Sequence, residues 1–190
     1  MSIRVRAARR AAAAAAGCAV VLAPAVALAA TGSPARHAAA AGAPAAAARP
    51  AAPLCQTPGL VIWLNTNGSG AAGSVFYHLE ITNLSGRACT LNGFPFLYAV
   101  SLAGRQVGRR ASFIGHPRLV LVRNGKTVHV LLQIVDVLNF SRSLCRPVTA
   151  AGLKVYPPNQ TRAKTVPFPF GACSSRRPTF LSVGPVQRGA

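Results

Sequence analysis

Outside its cysteines, the stretch from residue 55 onward offers little acid–base chemistry: His78, His116, His129, Glu80 and Asp136. His78 and Glu80 stand two apart in an alternating run, so on a strand they project from one face. They could share a metal ion there, with His129 from another strand as the third ligand. Polar residues on a solvated face follow the same pattern, and no metal is expected. Serine hydrolysis needs a nucleophile, a base and an orienting acid. The histidines and Asp136 supply the last two types, but no Gly-x-Ser-x-Gly elbow exists, and Gly68-Ser69-Gly70 reads as a loop tip. Gly125-Lys126-Thr127 repeats the end of a phosphate-binding loop. The earlier glycine that such a loop requires is replaced by Val120, and a strand-like run follows, so the segment is read as a turn. No catalytic residue and no cofactor is assigned.

Charge is the more prominent chemistry. The 190 residues carry 21 Lys+Arg against 2 Asp+Glu, for a formal net charge of +19. Two acids are too few for paired-carboxylate glycosidase chemistry, EF-hand calcium sites or carboxylate-rich magnesium sites. Fifteen of the cations and both acids lie from residue 55 onward, which leaves +13 on that part. Such a field attracts anionic polymers or an anionic membrane surface without base or sugar specificity. Three clusters in expected loops are the candidate anion-binding residues: Arg105, Arg109 and Arg110; Arg123 and Lys126; Arg176 and Arg177. The expected partners are an anionic wall polymer or lipid headgroups. Phe168 and Phe170, near Arg162 and Lys164, are the nearest case of aromatics interleaved with cations. Their proline neighbours favour packing, so no specific nucleic acid is expected.

The N-terminus explains much of the remaining composition. Arg4, Arg6, Arg9 and Arg10 precede an apolar run from Ala11 to Ala30 that ends in the small-x-small motif Ala27-Leu28-Ala29. These are the parts of a secretory signal, with cleavage expected near Ala29 or Ala30. Lipid anchoring at Cys18 is the alternative, although the residues before it lack the usual leucine. Residues 31–54, mostly Ala, Pro and Gly, read as a disordered linker. Of the 37 alanines 26 precede Cys55, whereas all twelve aromatics lie between Trp63 and Phe180. The folded domain is therefore expected over residues 55–190, secreted or associated with the cell envelope.

Within that domain period-2 alternation recurs between turn signals. Leu60, Ile62 and Leu64 share a face of a first strand, closed by Asn65-Thr66-Asn67-Gly68. Val75, Tyr77, Leu79 and Ile81 share a face of the second, and Phe96, Tyr98, Val100 and Leu102 one of the third. Leu119–Val122 and Val128–Val137 flank a turn at Arg123-Asn124-Gly125-Lys126, and shorter runs follow at 153–156, 164–168 and 179–186. Val128–Val137, apolar on both faces, is the expected central strand. Trp63 is expected in the core or packed on a sheet. About seven or eight short strands with frequent Gly and Pro predict an all-β fold, an antiparallel immunoglobulin-like β-sandwich. Asn83-Leu84-Ser85 and Asn139-Phe140-Ser141 match the glycosylation sequon and are read as turns.

Without Cys18 the cysteines number four: Cys55, Cys89, Cys145 and Cys173, spaced 34, 56 and 28 positions apart. Zinc sites need closer pairs, so an exported domain with this even count reads as carrying two disulfides. Three pairings are open, and the sequential one, Cys55–Cys89 with Cys145–Cys173, is the economical choice. The run Gly73-Ser74-Val75-Phe76-Tyr77-His78-Leu79-Glu80-Ile81-Thr82-Asn83-Leu84-Ser85-Gly86-Arg87-Ala88-Cys89-Thr90-Leu91-Asn92-Gly93-Phe94-Pro95 resembles the core of an actinobacterial exported-domain family, the domain of unknown function DUF4232. Cys145-Arg146-Pro147, Leu153-Lys154-Val155-Tyr156-Pro157-Pro158 and Cys173 fit its pattern too. The resemblance implies a secreted or lipid-anchored β-sandwich with two disulfides, and brings no activity, ligand or catalytic residue.

Overall fold

The computed structural model describes residues 51–189. The expected signal peptide and most of the linker lie outside the described residues. Strands dominate: β1 Leu60–Ala71, β2 Ser74–Asn83, β3 Cys89–Asn92, β4 Phe96–Val100, β5 Gln106–Val107, β6 Ser112–Phe113, β7 Leu119–Val122, β8 Thr127–Val135, β9 Pro147–Tyr156, β10 Lys164–Cys173 and β11 Leu181–Arg188. Helix among the described residues amounts to one α-turn, α1 at Arg142–Cys145, and 3-10 turns at Thr57–Gly59 and Val137–Asn139.

The strands form a five-stranded sheet in the order β1-β2-β8-β11-β6, a four-stranded sheet β10-β9-β4-β5, and a two-stranded ribbon β3-β7. All pairings between these strands are antiparallel except β11 with β6, which run parallel over two residue pairs. The neighbour orders β1-β2-β8 and β10-β9-β4 correspond to A-B-E and G-F-C of an immunoglobulin-type sandwich. The fold is thus the all-β, sandwich-like one that the alternation implies. It has eleven strands instead of seven or eight, because β3, β5 and β6 are too short to show a period.

Burial follows the pleat. In β8, Val128, Val130, Leu132 and Ile134 are buried while the residues between them are half-covered. This strand lies between β2 and β11, as its double-sided apolarity suggests, but it stops at Val135, and Val137 belongs to a 3-10 turn. Leu79 and Ile81 of β2 meet Leu97 and Ala99 of β4 and Leu153 and Val155 of β9 in one continuous core, which also holds Phe180. Trp63 is a correction: it lies on the outer face of β1, 44% exposed, opposite Glu80. Inward positions of β1 belong to Leu60, Ile62 and Leu64, so period 2 sends residue 63 outward.

A second correction concerns the expected turn at Asn65–Gly68. β1 continues through this segment, including the supposed loop tip Gly68-Ser69-Gly70, with a register shift between Asn65 and Ser69. The Asn65 side chain accepts from Asn67 N–H at 3.0 Å, which makes the irregularity locally instead of reversing the chain. A Cβ at Gly68 would meet the Tyr77 ring, so glycine lets the neighbouring strand lie close. Reversal comes at Ala72-Gly73, both at positive φ (45° and 75°), as a two-residue hairpin turn requires.

The disulfides are Cys55–Cys89 and Cys145–Cys173, the sequential pairing, with all four cysteines buried. Each closes a loop of about thirty residues, worth ~3–4 kcal/mol in the chain-entropy picture. Two disulfides suggest an oxidising, extracellular environment. Just ahead of Cys55, Leu54 bridges Thr90, and Thr90 N–H donates to Pro53 O at 2.8 Å, so the end of the expected linker lies along β3. No helix among the described residues is long and apolar enough to cross a membrane.

Candidate anion-binding site

The cations that the sequence offered in three clusters regroup in space. Arg109, Arg110 and Arg176 line one recess of about 410 Å³ together with Phe96 and Gln106. Arg123 and Lys126 line another, about 440 Å³, where Arg188 at the end of β11 joins them. Arg105 sits in the β4–β5 turn, whose carbonyl accepts from Ser101 N–H at 2.9 Å, and neither it nor Arg177 lines either recess. The first recess unites residues more than sixty positions apart. Its arginines are exposed, and a guanidinium always carries its charge. Three planar forks around one hollow can each offer paired N–H donors to a carboxylate or phosphate.

Two anchors hold the arginine loops against each other. Gly108 is at φ +66°, and a Cβ there would run into the Cys173 carbonyl and the Phe180 ring. Only glycine lets the chain pass so close in that conformation, and Arg109 and Arg110 follow at once. Ala111 N–H then returns to Leu97 O at 2.9 Å, tying the loop to β4. On the other side, the Cys145–Cys173 bond joins β10 to α1. Ser174 and Ser175 N–H donate to the Arg146 and Cys145 carbonyls, both at 3.1 Å, and the Ser174 hydroxyl donates to Arg146 O at 2.8 Å. Arg176 therefore projects from a stapled turn.

Beside the recess lies an aromatic patch that sequence reasoning missed. Phe96, Tyr98, Val100 and Leu102 alternate in the sequence as one face of the third strand. In the structure β4 buries Leu97, Ala99 and Val100, leaves Phe96 and Tyr98 half-covered on the outer face, and leads to Leu102 at 98% exposure. Phe96 stands edge-on to Tyr98 (5.9 Å between centroids) and to Tyr156 of β9 (5.5 Å). The tyrosines lie 6.2 Å apart, tilted by 38°, with their hydroxyls at 3.4 Å. That hydrogen bond, with burial and the neighbouring phenol, pushes the Tyr98 pKa up to about 12. Arg110 lies 5.6 Å over the Phe96 ring, joining recess to patch by a cation–π contact. The recognisable signal was the pair of runs Phe-Leu-Tyr-Ala-Val and Leu-Lys-Val-Tyr: opposed in register, they place aromatics and Lys154 on one face.

The other candidates fall elsewhere. His78, Glu80 and His129 do share the outer face of the five-stranded sheet, Glu80 directly opposite His129 and the two imidazoles stacked at 4.8 Å. Among the described residues no group of three or more His, Cys, Asp or Glu could hold a metal ion. His116 is exposed in the loop after β6, and Asp136 caps the 3-10 turn by accepting from Leu138 N–H at 2.9 Å. Gly125-Lys126 is the turn expected of it, with Lys126 N–H donating to Arg123 O at 3.1 Å. Phe168 and Phe170 pack on Tyr77 and the core. Asn83 is fully buried and Asn139 donates to Gly73 O at 2.7 Å, so both sequon asparagines serve turns.

No curated protein matches the chain. A family model does, over residues 55–187, from the first disulfide cysteine through almost the whole of β11. That span contains both staples, the first ten strands whole and both arginine loops, and the chain belongs to the family described as Domain of unknown function (DUF4232).

Proposed function

We propose that this chain is an exported, non-catalytic binding module of the cell envelope that holds an anionic component, a wall polymer or lipid headgroup, at the Arg109/Arg110/Arg176 recess. One observation carries the reading: three arginines from two distant loops line one hollow that a glycine and a disulfide hold in place. The acid deficit adds to it, since +13 on the domain draws polyanions from a distance and disfavours cationic partners. The signal-like N-terminus and the two disulfides support export.

Retention of the purified protein on immobilised polyphosphate and on anionic vesicles, across a salt series, tests the proposal. Retention should fall steeply with salt, and Arg109→Ala with Arg176→Ala should weaken it more than Arg105→Ala with Arg177→Ala. Absent or salt-independent retention would remove the reading.

A further inference from the structure

We propose that the ligand of this surface is an acidic polysaccharide, a glycan whose carboxylates or phosphates enter the arginine recess while a sugar ring lies on the Tyr98/Tyr156 platform. The inference rests on the anion-binding reading above and goes beyond it by requiring a sugar. Charge alone would explain a basic hollow. It does not explain why the hollow's only aromatic wall, Phe96, continues into two outward-facing tyrosines.

The patch has features suited to a pyranose. Its rings sit on β4 and β9, rigid paired strands with Phe96 opposite Tyr156 and Tyr98 opposite Lys154. Tyrosines offer a flat apolar face to the C–H side of a sugar and a hydroxyl to its rim. Here the two hydroxyls lie 3.4 Å apart, one polar edge shared by two rings. Lys154 on the same face and Arg110 over Phe96 put a cation on either side of the platform. A polymer alternating ring and charge could therefore engage aromatics and cations in succession. Aromatics beside cations also suit single-stranded nucleic acid. The two disulfides favour the glycan, since they point to an extracellular compartment, where acidic sugars are the common structural polyanions.

The test compares four polymers on the purified protein at fixed ionic strength: polygalacturonate, polyphosphate, neutral dextran and oligothymidylate. Polygalacturonate should bind most tightly, and Tyr98→Ala or Tyr156→Ala should weaken it at least about tenfold, as loss of one stacking ring does. Polyphosphate binding should change by less than about twofold in the same variants, because its contacts are charge alone. Tyr98→Leu and Tyr156→Leu keep Phe96 covered and should lose the same selectivity if an Ala variant unfolds. Equal losses on polygalacturonate and polyphosphate, or no loss on either, would overturn the glycan assignment while leaving anion binding intact. Tighter, tyrosine-dependent binding of oligothymidylate would replace the glycan by a nucleic acid. Failure of every polyanion to bind would instead sink the underlying reading.

Discussion

Asn83→Ala isolates how a buried amide ties the turn that carries Arg123 and Lys126 to the rest of the domain. Asn83 is fully buried at the end of β2. Its Nδ2 donates to Val122 O at 2.9 Å and to Arg87 O at 2.8 Å, and its Oδ1 accepts from Ser85 N–H at 3.0 Å. The three bonds are unequal. Arg87 O also accepts from the Ser85 hydroxyl, and the exposed Ser85 lies where water can replace Oδ1. Val122 O, at the buried end of β7, would be left without its side-chain partner, at a cost of roughly 1–3 kcal/mol. With about 1 kcal/mol for the remaining bonds together, the expected loss is ~2–4 kcal/mol. Urea unfolding followed by tryptophan fluorescence should show a lower midpoint with an unchanged slope. Asn83→Asp, which trades the donor for a carboxylate facing carbonyls, should cost at least as much. A loss under about 0.5 kcal/mol, within what surface changes give, would refute the claim that this amide organises the turn.

Gly108→Ala should destabilise by ~1–3 kcal/mol, the scale of enforced backbone strain, because φ is +66° and the new methyl meets Cys173 O. It should also weaken polyanion retention by shifting Arg109 and Arg110; unchanged thermal stability would contradict it. Replacing Cys145 and Cys173 together by Ser should lower stability by ~3–4 kcal/mol, read by chemical denaturation, and loosen the Arg176 turn. Tyr98 carries a pH signature. Its folded-state pKa of about 12 lies above the ordinary 10.0, so the folded chain favours the neutral phenol. The resulting stabilisation is full below pH 10 and is lost as pH rises towards 12. Tyrosinate absorbance of the folded protein should show a phenol titrating near pH 12, and Tyr156→Phe should bring it down; a Tyr98 titration at the ordinary 10.0 would contradict this.

Much of the fold could be read in advance because its long strands alternate cleanly and its cysteines are few. β8 was identifiable as central because Val128, Val130, Leu132 and Ile134 are interleaved with further apolar residues. Where a strand has aromatics on one side and small or aliphatic residues on the other, the pattern misleads. In β4 the alternation puts Phe96 and Tyr98 on one face without saying which way it looks; the structure buries Leu97 and Ala99 on the other face, and the tyrosine hydroxyls meet outside. Trp63 misleads for the same reason, since size alone does not decide orientation on a half-buried sheet. The candidate site was legible only as separate clusters. Arg109 and Arg176 are brought together by the Gly108–Cys173 approach and the Cys145–Cys173 bond, contacts with no local signature.

The salt dependence of polygalacturonate binding tests the central claim most directly. For the purified protein, log affinity should fall linearly with log salt. Replacing Arg109, Arg110 and Arg176 by Ala should make that slope shallower by roughly two to three, one unit for each lost ion contact. Replacing Arg123, Lys126 and Arg188, in the other basic recess, should change it by less than about one. Equal slopes for the two triple variants would contradict the account, since the protein would then present diffuse charge with no built site.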